Sequence, residues 1–116
     1  MRPRLAGRLR GIGISNYVET PVGIPHERVE VTVKSEGKVE LAVGTQSTGQ
    51  GHETSFAQVL AEALQLPLDD VAITFGDSDI AKSGGGSHSD RSMRMAGTVL
   101  VRAAEKVDRK STRLNS

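Results

Sequence analysis

The segment Gly44-Thr45-Gln46-Ser47-Thr48-Gly49-Gln50-Gly51-His52-Glu53-Thr54 connects a strand-like run to a helix-like run and contains no bulky core residue. Gly49 and Gly51 allow the backbone to turn sharply and to approach a ligand closely, because glycine has no Cβ. A helix beginning near His52 leaves its first N–H groups without intrahelical acceptors, and its dipole favours negative charge at that end. The segment therefore predicts a phosphate-binding turn. A tight strand-to-helix connection without a ligand is the alternative that these residues leave open.

Alternating apolar and polar residues predict four strands. The clearest are residues 29–33 and 39–43, which place valine and leucine on one face and join through a turn at 35–38 as a hairpin. Residues 11–19 alternate apolar with small or polar residues and predict an earlier strand, and residues 71–75 predict a later one.

Two apolar stripes at helical spacing predict two helices. The first stripe comprises Phe56, Val59, Leu60, Ala63 and Leu64. Pro67 ends this helix. The second stripe comprises Met93, Ala96, Gly97, Leu100, Ala103, Ala104 and Val107. The order β-β-β-α-β-α predicts an α+β fold, a two-layer sandwich with both helices on one face of a mainly antiparallel sheet.

The chain has 116 residues, which is enough for one domain with a modest core. Residues 1–10 form a basic segment that is readable as a helix end or as a disordered start. Residues 11–108 form the predicted domain. Residues 109–116 lack an apolar period and predict an unstructured tail, for which a truncation or cloning artefact is one explanation.

The composition excludes several classes of function. The net charge of +1 gives no basis for a nucleic-acid partner, and no apolar run approaches the roughly 20 residues that span a membrane. Without cysteine the chain has no disulfide, thiolate metal site or cysteine nucleophile, which fits a reducing compartment and a cytoplasmic protein. Three scattered histidines without helical spacing predict no zinc site, so no metal ligand is predicted.

A second polar loop, residues 76–92, is rich in glycine and serine and also leads into a helix. Loops of about 17 residues are unusual inside a compact domain and are often functional. Two helix starts could donate N–H groups to one anionic ligand, and Arg91 could hold a phosphate through two N–H groups at once. A mobile surface loop with serine or aspartate helix caps is the alternative.

Other catalytic and nucleotide-binding motifs are incomplete. Residues 11–13 lack the third glycine and the following helix of a dinucleotide fingerprint, and no Gly-Lys-Ser/Thr of a P-loop occurs. Ser87, His88 and Asp90 offer the residue types of a hydrolase triad, but neighbours this close in sequence do not point at one another in the required order. Anion binding therefore has no competing catalytic motif.

Six pieces of sequence occur in an order and spacing that resemble a known family. They are residues 10–15, 44–46, 49–54, 76–79, 85–93 and 96–97. The chain resembles the molybdenum hydroxylases, the family of xanthine dehydrogenase, aldehyde oxidase and carbon monoxide dehydrogenase-like large chains. The resemblance covers residues 10 to about 106.

The resemblance implies a fragment of a molybdopterin-binding large subunit, which in bacteria commonly carries molybdenum on the cytosine dinucleotide form of the cofactor. It also implies cofactor-binding roles for residues of both loops. By position these residues are Gln50, Gly51, His52, Ser87, His88, Ser89, Asp90, Arg91, Ser92 and Met93. The first three would approach the molybdenum and pterin end, and the others would contact pterin, phosphates or nucleotide.

The family reaction is hydroxylation of an activated carbon with water-derived oxygen. The resemblance thus implies an oxidoreductase that acts on an aldehyde, an N-heterocycle or a similar small substrate. The glutamate that serves the family as general base is expected beyond the second helix, so no catalytic residue is predicted here and the fragment alone is expected to be inactive.

The resemblance also implies partners: the remainder of the large subunit and iron–sulfur clusters on other domains or subunits, with FAD as a further candidate. Two other functions remain open from the residues. One is a stand-alone nucleotide- or anion-binding module without catalysis, and the other is a structural α+β domain whose glycine-rich loops are only connectors.

Overall fold

The computed structural model describes residues 7–114, with side chains for residues 7–111. Its main elements follow the chain in the order β1 Val29–Val33, β2 Val39–Val43, α1 His52–Leu64, β3 Val71–Thr74 and α2 Thr98–Leu114. A 3-10 helical turn, Leu68–Asp70, precedes β3, and a π-helical segment, Ser92–Gly97, leads directly into α2. The predicted hairpin, the later strand and both predicted helices are therefore confirmed.

The three strands form one sheet in the order β1-β2-β3. β1 and β2 pair antiparallel through the hairpin, with Val31 opposite Leu41. β2 and β3 pair parallel, with Leu41 opposite Ile73, because α1 carries the chain back across the sheet before β3 begins. The predicted α+β fold is confirmed, with β2 at the centre of the sheet.

The core lies between the sheet and the two helices. Its fully buried members come from β2, α1, the π-helical segment and α2: Val39, Leu41, Val43, Phe56, Leu60, Ala96, Leu100 and Ala104. α1 packs on β3, α2 packs on β1, and the two helices contact each other. Each fully buried leucine contributes about 1.5–3 kcal/mol to the free energy of folding. Glu40, between two core residues of β2, is exposed, as the alternating pattern predicts.

The buried faces of the helices differ from the predicted stripes at two positions. Ala63 is exposed, whereas Ala57 and Ala61 of α1 are buried. Met93 is 37% exposed, because it lies in the π-helical segment, where the wider turn changes the spacing of side chains.

The predicted first strand at residues 11–19 is wrong. These residues form no regular structure, and Ile12, Ile14 and Val18 are 94%, 88% and 94% exposed. A strand exists only where a neighbouring strand accepts its backbone hydrogen bonds and another layer covers its apolar face. Of the basic segment, residues 7–10 are not helical, and residues 1–6 lie outside the described range.

The predicted unstructured tail is wrong for its described part. α2 continues to Leu114, and residues 115–116 lie outside the described range. Residues 108–111 are exposed, so this end of α2 is held by its own backbone hydrogen bonds and by good helix formers such as Arg109 and Lys110. The absence of periodic apolar residues in this segment means that the helix has no buried face, although the helix still forms.

The chain leaving β2 crosses the second loop without room for a side chain. A Cβ on Gly44 would overlap the carbonyl oxygen of Ser83 and the Cα of Gly84, and a Cβ on Gly84 would overlap the backbone of Gly44. The Gly44 N–H also donates to the carbonyl oxygen of Arg28 at 2.9 Å, which restrains the crossing. Glycine at both positions therefore allows the two predicted loops to meet at one end of the sheet.

Replacing Gly44 with alanine should destabilise the protein, because the added methyl group meets backbone atoms of the second loop. We expect Gly44→Ala to lower the free energy of unfolding in urea by about 2–3 kcal/mol, as for other overpacked sites. Gly13→Ala is the control, since a Cβ there meets no atom within 4 Å. Equal stability of the two variants would contradict this account of the crossing.

Candidate functional site

The two predicted loops line one pocket of about 410 Å³. Its lining comprises Thr48, Gln50, His52, Ser87, His88, Ser89, Asp90, Arg91, Ser92 and Met93. Every residue proposed for the site from the sequence is in this set except Gly51. Gly51 instead forms the N-terminal cap of α1, in the left-handed conformation with φ 76°. The structure thus brings together residues that are far apart in sequence, while their binding roles stay predictions.

A chain of hydrogen bonds joins the two loops across the pocket. The side-chain amide of Gln50 donates to Ser87 Oγ at 2.7 Å, and Ser92 Oγ donates to the same oxygen at 2.8 Å. Thr45 Oγ1, buried behind them, lies 2.9 Å from Ser92 Oγ. The Gln50 Oε1 atom accepts from the backbone N–H of Thr48, which orients the amide. Three hydroxyls and one amide therefore hold the loops in register.

Arg91 is placed differently from the prediction. Its side chain is fully buried, and its guanidinium donates to Glu27 Oε2 at 2.8 Å and to the carbonyl oxygen of Ile24 at 3.1 Å. It also donates to the carbonyl oxygens of His26 and Gly86. With these acceptors inside the protein, the guanidinium is directed away from a phosphate in the pocket. Spacing could not show this, because Glu27 lies 64 residues earlier.

The pocket has no net positive charge. Arg91 is paired with the buried carboxylate of Glu27, and the other charged lining residue is Asp90, which is exposed. The remaining polar groups are serine and threonine hydroxyls, the Gln50 amide and histidine rings. An anion would therefore be bound by directed neutral donors, each of which is strengthened when its acceptor is ionised.

The backbone before Arg91 has an unusual conformation that also favours anions. Ser89 and Asp90 have positive φ, 49° and 59°, although neither is glycine. Arg91 follows with φ −86° and ψ −24°, so the backbone passes from left-handed to right-handed within three residues. Such alternation is typical of backbone concavities that bind anions. The Arg91 N–H itself donates to the carbonyl oxygen of His88 at 2.9 Å, so it is not free to face a ligand. Residues with strained backbone conformations, here two in succession, occur more often at functional sites than elsewhere.

Several backbone N–H groups at the start of α1 already donate hydrogen bonds within the protein. The His52 N–H faces Ser47 Oγ at 3.4 Å, and the Thr54 N–H donates to the Gly51 carbonyl oxygen at 3.1 Å. The backbone N–H of Glu53, the Ser47 hydroxyl and the nearby His52 ring together lower the pKa of the exposed Glu53 carboxyl. The predicted donation of free amides from α1 to a ligand is therefore largely replaced by bonds within the protein.

The two histidines of the pocket are held by neighbouring groups. The His52 ring is nearly buried, stacks on Phe56 with ring centres 4.8 Å apart, and places Nδ1 3.2 Å from Ser55 Oγ. The His88 ring places Nε2 3.0 Å from the Gly85 carbonyl oxygen. The two rings therefore have fixed orientations at the edge of the pocket.

Three residues of the site were not predicted individually. Thr45 and Thr48 lie inside the segment 44–54, where serine and threonine are frequent in any case. Glu27 is a single carboxylate in an irregular stretch, so only its burial at 8% exposure and its pairing with Arg91 reveal its importance.

Residues 7–114 offer no metal-binding cluster and no membrane-spanning helix. No group of three or more histidine, cysteine, aspartate or glutamate side chains in that range is placed to hold a metal ion. No helix of that range combines the length and the apolar character needed to cross a bilayer.

Comparison with known sequences identifies relatives. A family model described as a molybdopterin cofactor-binding domain matches residues 2–116. The carbon monoxide dehydrogenase large chain of Afipia carboxidovorans is 35% identical over 114 residues, covering 89% of this chain and 14% of that protein. The gamma subunit of the 6-hydroxypseudooxynicotine dehydrogenase complex of Paenarthrobacter nicotinovorans is 36% identical over 115 residues, covering 99% of this chain and 14% of that protein.

Solved structures agree with the sequence matches. Carbon monoxide dehydrogenase from Oligotropha carboxidovorans superimposes with a TM-score of 0.69 at 40% identity, covering 71% of this chain and 10% of that chain. Quinoline 2-oxidoreductase from Pseudomonas putida 86 gives a TM-score of 0.67 at 34% identity, with the same two coverages of 71% and 10%. The chain therefore spans about one seventh of the length of the sequence relatives, 14% in both cases.

The acid dependence of stability should report the carboxylate of Glu53. Because its folded-state pKa is lowered, the ionised carboxylate stabilises the fold above the unfolded-state pKa, and this stabilisation is lost as pH falls through the folded-state pKa. Glu53→Gln should therefore lower the melting temperature at neutral pH, and the difference should vanish in acid. Glu62→Gln, on the exposed side of the same helix, is the control. A difference between Glu53→Gln and the unsubstituted protein that is independent of pH would contradict the assignment.

Proposed function

Because the chain belongs to the molybdopterin cofactor-binding domain family, we propose that it forms part of the cofactor pocket in the large subunit of a molybdenum-dependent oxidoreductase. In this proposal the rest of the pocket and the catalytic glutamate come from other segments of a longer polypeptide. The coverage of 14% of the relatives' length supports this division.

The observation that carries the proposal is the meeting of two loops at one pocket lined by hydrogen-bond donors. Gln50 of the first loop bonds Ser87 of the second, 37 residues later in the chain. A ligand in this pocket would touch both loops, and its phosphates would accept hydrogen bonds from both. A structural domain whose glycine-rich loops were only connectors would not need the two loops to meet at a pocket.

The residues present fit a pterin dinucleotide, which has phosphate oxygens, ribose hydroxyls and polar ring edges. The Ser87 hydroxyl fits a phosphate oxygen, because it accepts hydrogen bonds from Gln50 and Ser92 and keeps its own hydrogen to donate. The left-handed backbone at Ser89 and Asp90 lies in the same lining and suits a neighbouring phosphate oxygen. The Asp90 carboxylate can accept hydrogen bonds from ribose hydroxyls or base N–H groups, whereas it would repel a phosphate. The backbone at Gly51 can be approached closely, because even a Cβ there would meet no protein atom within 4 Å.

We assign the pterin end to Gln50, Gly51 and His52. The phosphate and nucleotide end is assigned to Ser87, His88, Ser89, Asp90, Ser92 and Met93, with Arg91 contributing through its position in the loop. The cytosine dinucleotide form is the proposed form of the cofactor. When bound, the molybdenum cofactor supplies the redox chemistry, hydroxylation of a small aldehyde, N-heterocycle or similar substrate. The residues of this chain bind and orient it.

The relatives support a role in binding the cofactor over a role in substrate selection. Their names refer to different substrates, carbon monoxide, 6-hydroxypseudooxynicotine and quinoline, yet they share this segment. A segment common to such enzymes serves what they have in common. The substrate of this protein would then be selected by residues outside the chain.

The proposed partners are the remainder of the large subunit, an iron–sulfur component and a flavin component, in a cytoplasmic complex. The exposed apolar side chains of Ile12, Ile14 and Val18 support contact with further protein. A stand-alone nucleotide-binding module is disfavoured by the same exposure, because water would surround these side chains permanently.

The proposal predicts that Gln50 and Ser87 are needed for cofactor retention. In the full-length polypeptide that carries this segment, Gln50→Ala and Ser87→Ala should each weaken cofactor binding about tenfold or more, since each removes a donor or its support. Molybdenum content by mass spectrometry, and cytidine nucleotide released by acid hydrolysis, measure the loss.

Ser78→Ala is the matched control, because Ser78 lies in the same polar loop but is exposed and does not line the pocket. Unchanged molybdenum and nucleotide content in both pocket variants would refute the proposed function. Release of a nucleotide other than cytidine from the unsubstituted protein would refute only the dinucleotide form.

A further inference from the structure

We propose that Glu27 and Arg91 form a buried latch that positions the second loop, and that neither side chain contacts the ligand. The inference rests on the proposed function for the identity of the ligand, but the latch itself is defined by protein contacts. It assigns positioning roles to a residue that the sequence did not indicate, Glu27, and to one expected to hold a phosphate, Arg91.

The Arg91 side chain is held from several directions. The planar guanidinium donates to the carbonyl oxygens of Ile24 and His26 on one segment, and to that of Gly86 on the second loop. The Glu27 carboxylate completes the set at 2.8 Å. These four acceptors are shared among the three separated nitrogens of the guanidinium, whereas a lysine ammonium has only three N–H donors on one atom and could not satisfy all four.

Glu27 itself bridges the same two segments. One carboxylate oxygen accepts from the Arg28 backbone N–H at 2.9 Å, and the other accepts from Arg91 and from the Gly85 backbone N–H at 3.3 Å. The side chains of Glu27 and Arg91 are both fully buried, so water does not compete for these bonds. Loss of one charge leaves the other buried and unpaired.

Close steric contacts also join the two segments. A Cβ on Gly85 would overlap the guanidinium of Arg91, and a Cβ on Gly23 would lie 2.7 Å from the His88 ring and 3.3 Å from Arg91 Cδ. The segment around residues 23–27 therefore lies directly against the second loop. Two glycines allow this approach, and the ion pair holds it.

The place of Arg91 in the chain links the ion pair to the pocket. It directly follows the two left-handed residues, Ser89 and Asp90, and directly precedes Ser92, which bonds both Ser87 and Thr45. Strained backbone persists only where surrounding contacts over-determine it. Anchoring of the Arg91 side chain thus fixes the backbone concavity on one side and the hydroxyl chain on the other.

If Arg91 bound the phosphate directly, Glu27→Gln would change the affinity for the ligand in the opposite direction from that expected for the latch. If Arg91 acted as a cationic phosphate ligand, Glu27→Gln would remove a competing negative charge and tighten the binding of a polyanion. If the pair is a latch, Glu27→Gln turns an amide N–H toward donors that need an acceptor, which loosens the loop and weakens binding. Arg91→Lys separates the two roles as well, because it keeps the charge and loses the fork.

The experiment uses the full-length polypeptide in two preparations, with cofactor and without it. Glu27→Gln and Arg91→Lys are compared with Val39→Ala, a core variant 2% exposed in β2 that lowers thermal stability without touching the pocket. Hydrogen exchange of the peptide that covers residues 83–92 is measured without cofactor. The rate of cofactor release is followed by pterin fluorescence at a temperature below unfolding.

We expect both latch variants to speed exchange of residues 83–92 and release of the cofactor about tenfold or more, and Val39→Ala to change neither by as much as about twofold. The double variant Glu27→Gln/Arg91→Gln removes both buried charges at once, so no charge is left unpaired. We therefore expect it to fold even if one of the single variants does not. In this double variant the loop should still exchange rapidly.

Several results would overturn the latch. These are unchanged exchange in Glu27→Gln, slower release in Glu27→Gln, retention of the cofactor by Arg91→Lys, or an equal effect of Val39→Ala. Rapid exchange with unchanged release would also overturn the positioning role. Absence of a pterin cofactor from the unsubstituted protein would instead refute the proposed function, and the exchange rates would still decide whether the latch exists.

Discussion

The carboxylate of Glu27 and the guanidinium of Arg91 are both removed from water, and this pair fixes where the second loop lies. Breaking one partner of a buried pair typically costs about 3–5 kcal/mol, because the remaining charge is left without compensation. Here the guanidinium is also satisfied by three carbonyl oxygens, those of Ile24, His26 and Gly86, which makes burial of the charge tolerable. The loop that carries most of the pocket is therefore held by an ion pair whose carboxylate partner, Glu27, does not line the pocket.

Because Arg91 is paired with Glu27, the pocket has no net positive charge and must bind a ligand through directed hydrogen bonds. Hydroxyls, one amide and two oriented histidine rings surround the cavity, while the lining carboxylate of Asp90 is exposed. Hydrogen bonds to an ionised acceptor are short and strong, and they depend on angle more than a distant Coulomb attraction does. Such a site selects a ligand by the positions of its acceptors. The net charge of +1 for the whole chain agrees with recognition that does not depend on a basic surface.

Local patterns predicted most of the elements and the two loops of the site. The hairpin, α1 and the helix after the second loop follow from apolar spacing, since a two-layer core accepts only those residues on its inner faces. The strand expected at residues 11–19 failed because pairing requires a neighbour, which alternation in sequence cannot supply. The tail expected to be unstructured is helical to Leu114, because a helix satisfies its backbone internally and needs no packed face.

The sequence by itself determined that two glycine- and serine-rich loops each lead into a helix and that their residue types suit a polyanionic ligand. It could not determine which side chains point into the pocket, because orientation depends on contacts between residues far apart in the chain. Only the tertiary structure decided that Arg91 turns inward to Glu27 and that Ser87 meets Gln50. Charge and hydrogen-bonding capacity belong to single residues, whereas the partner of a buried charge is chosen by the fold.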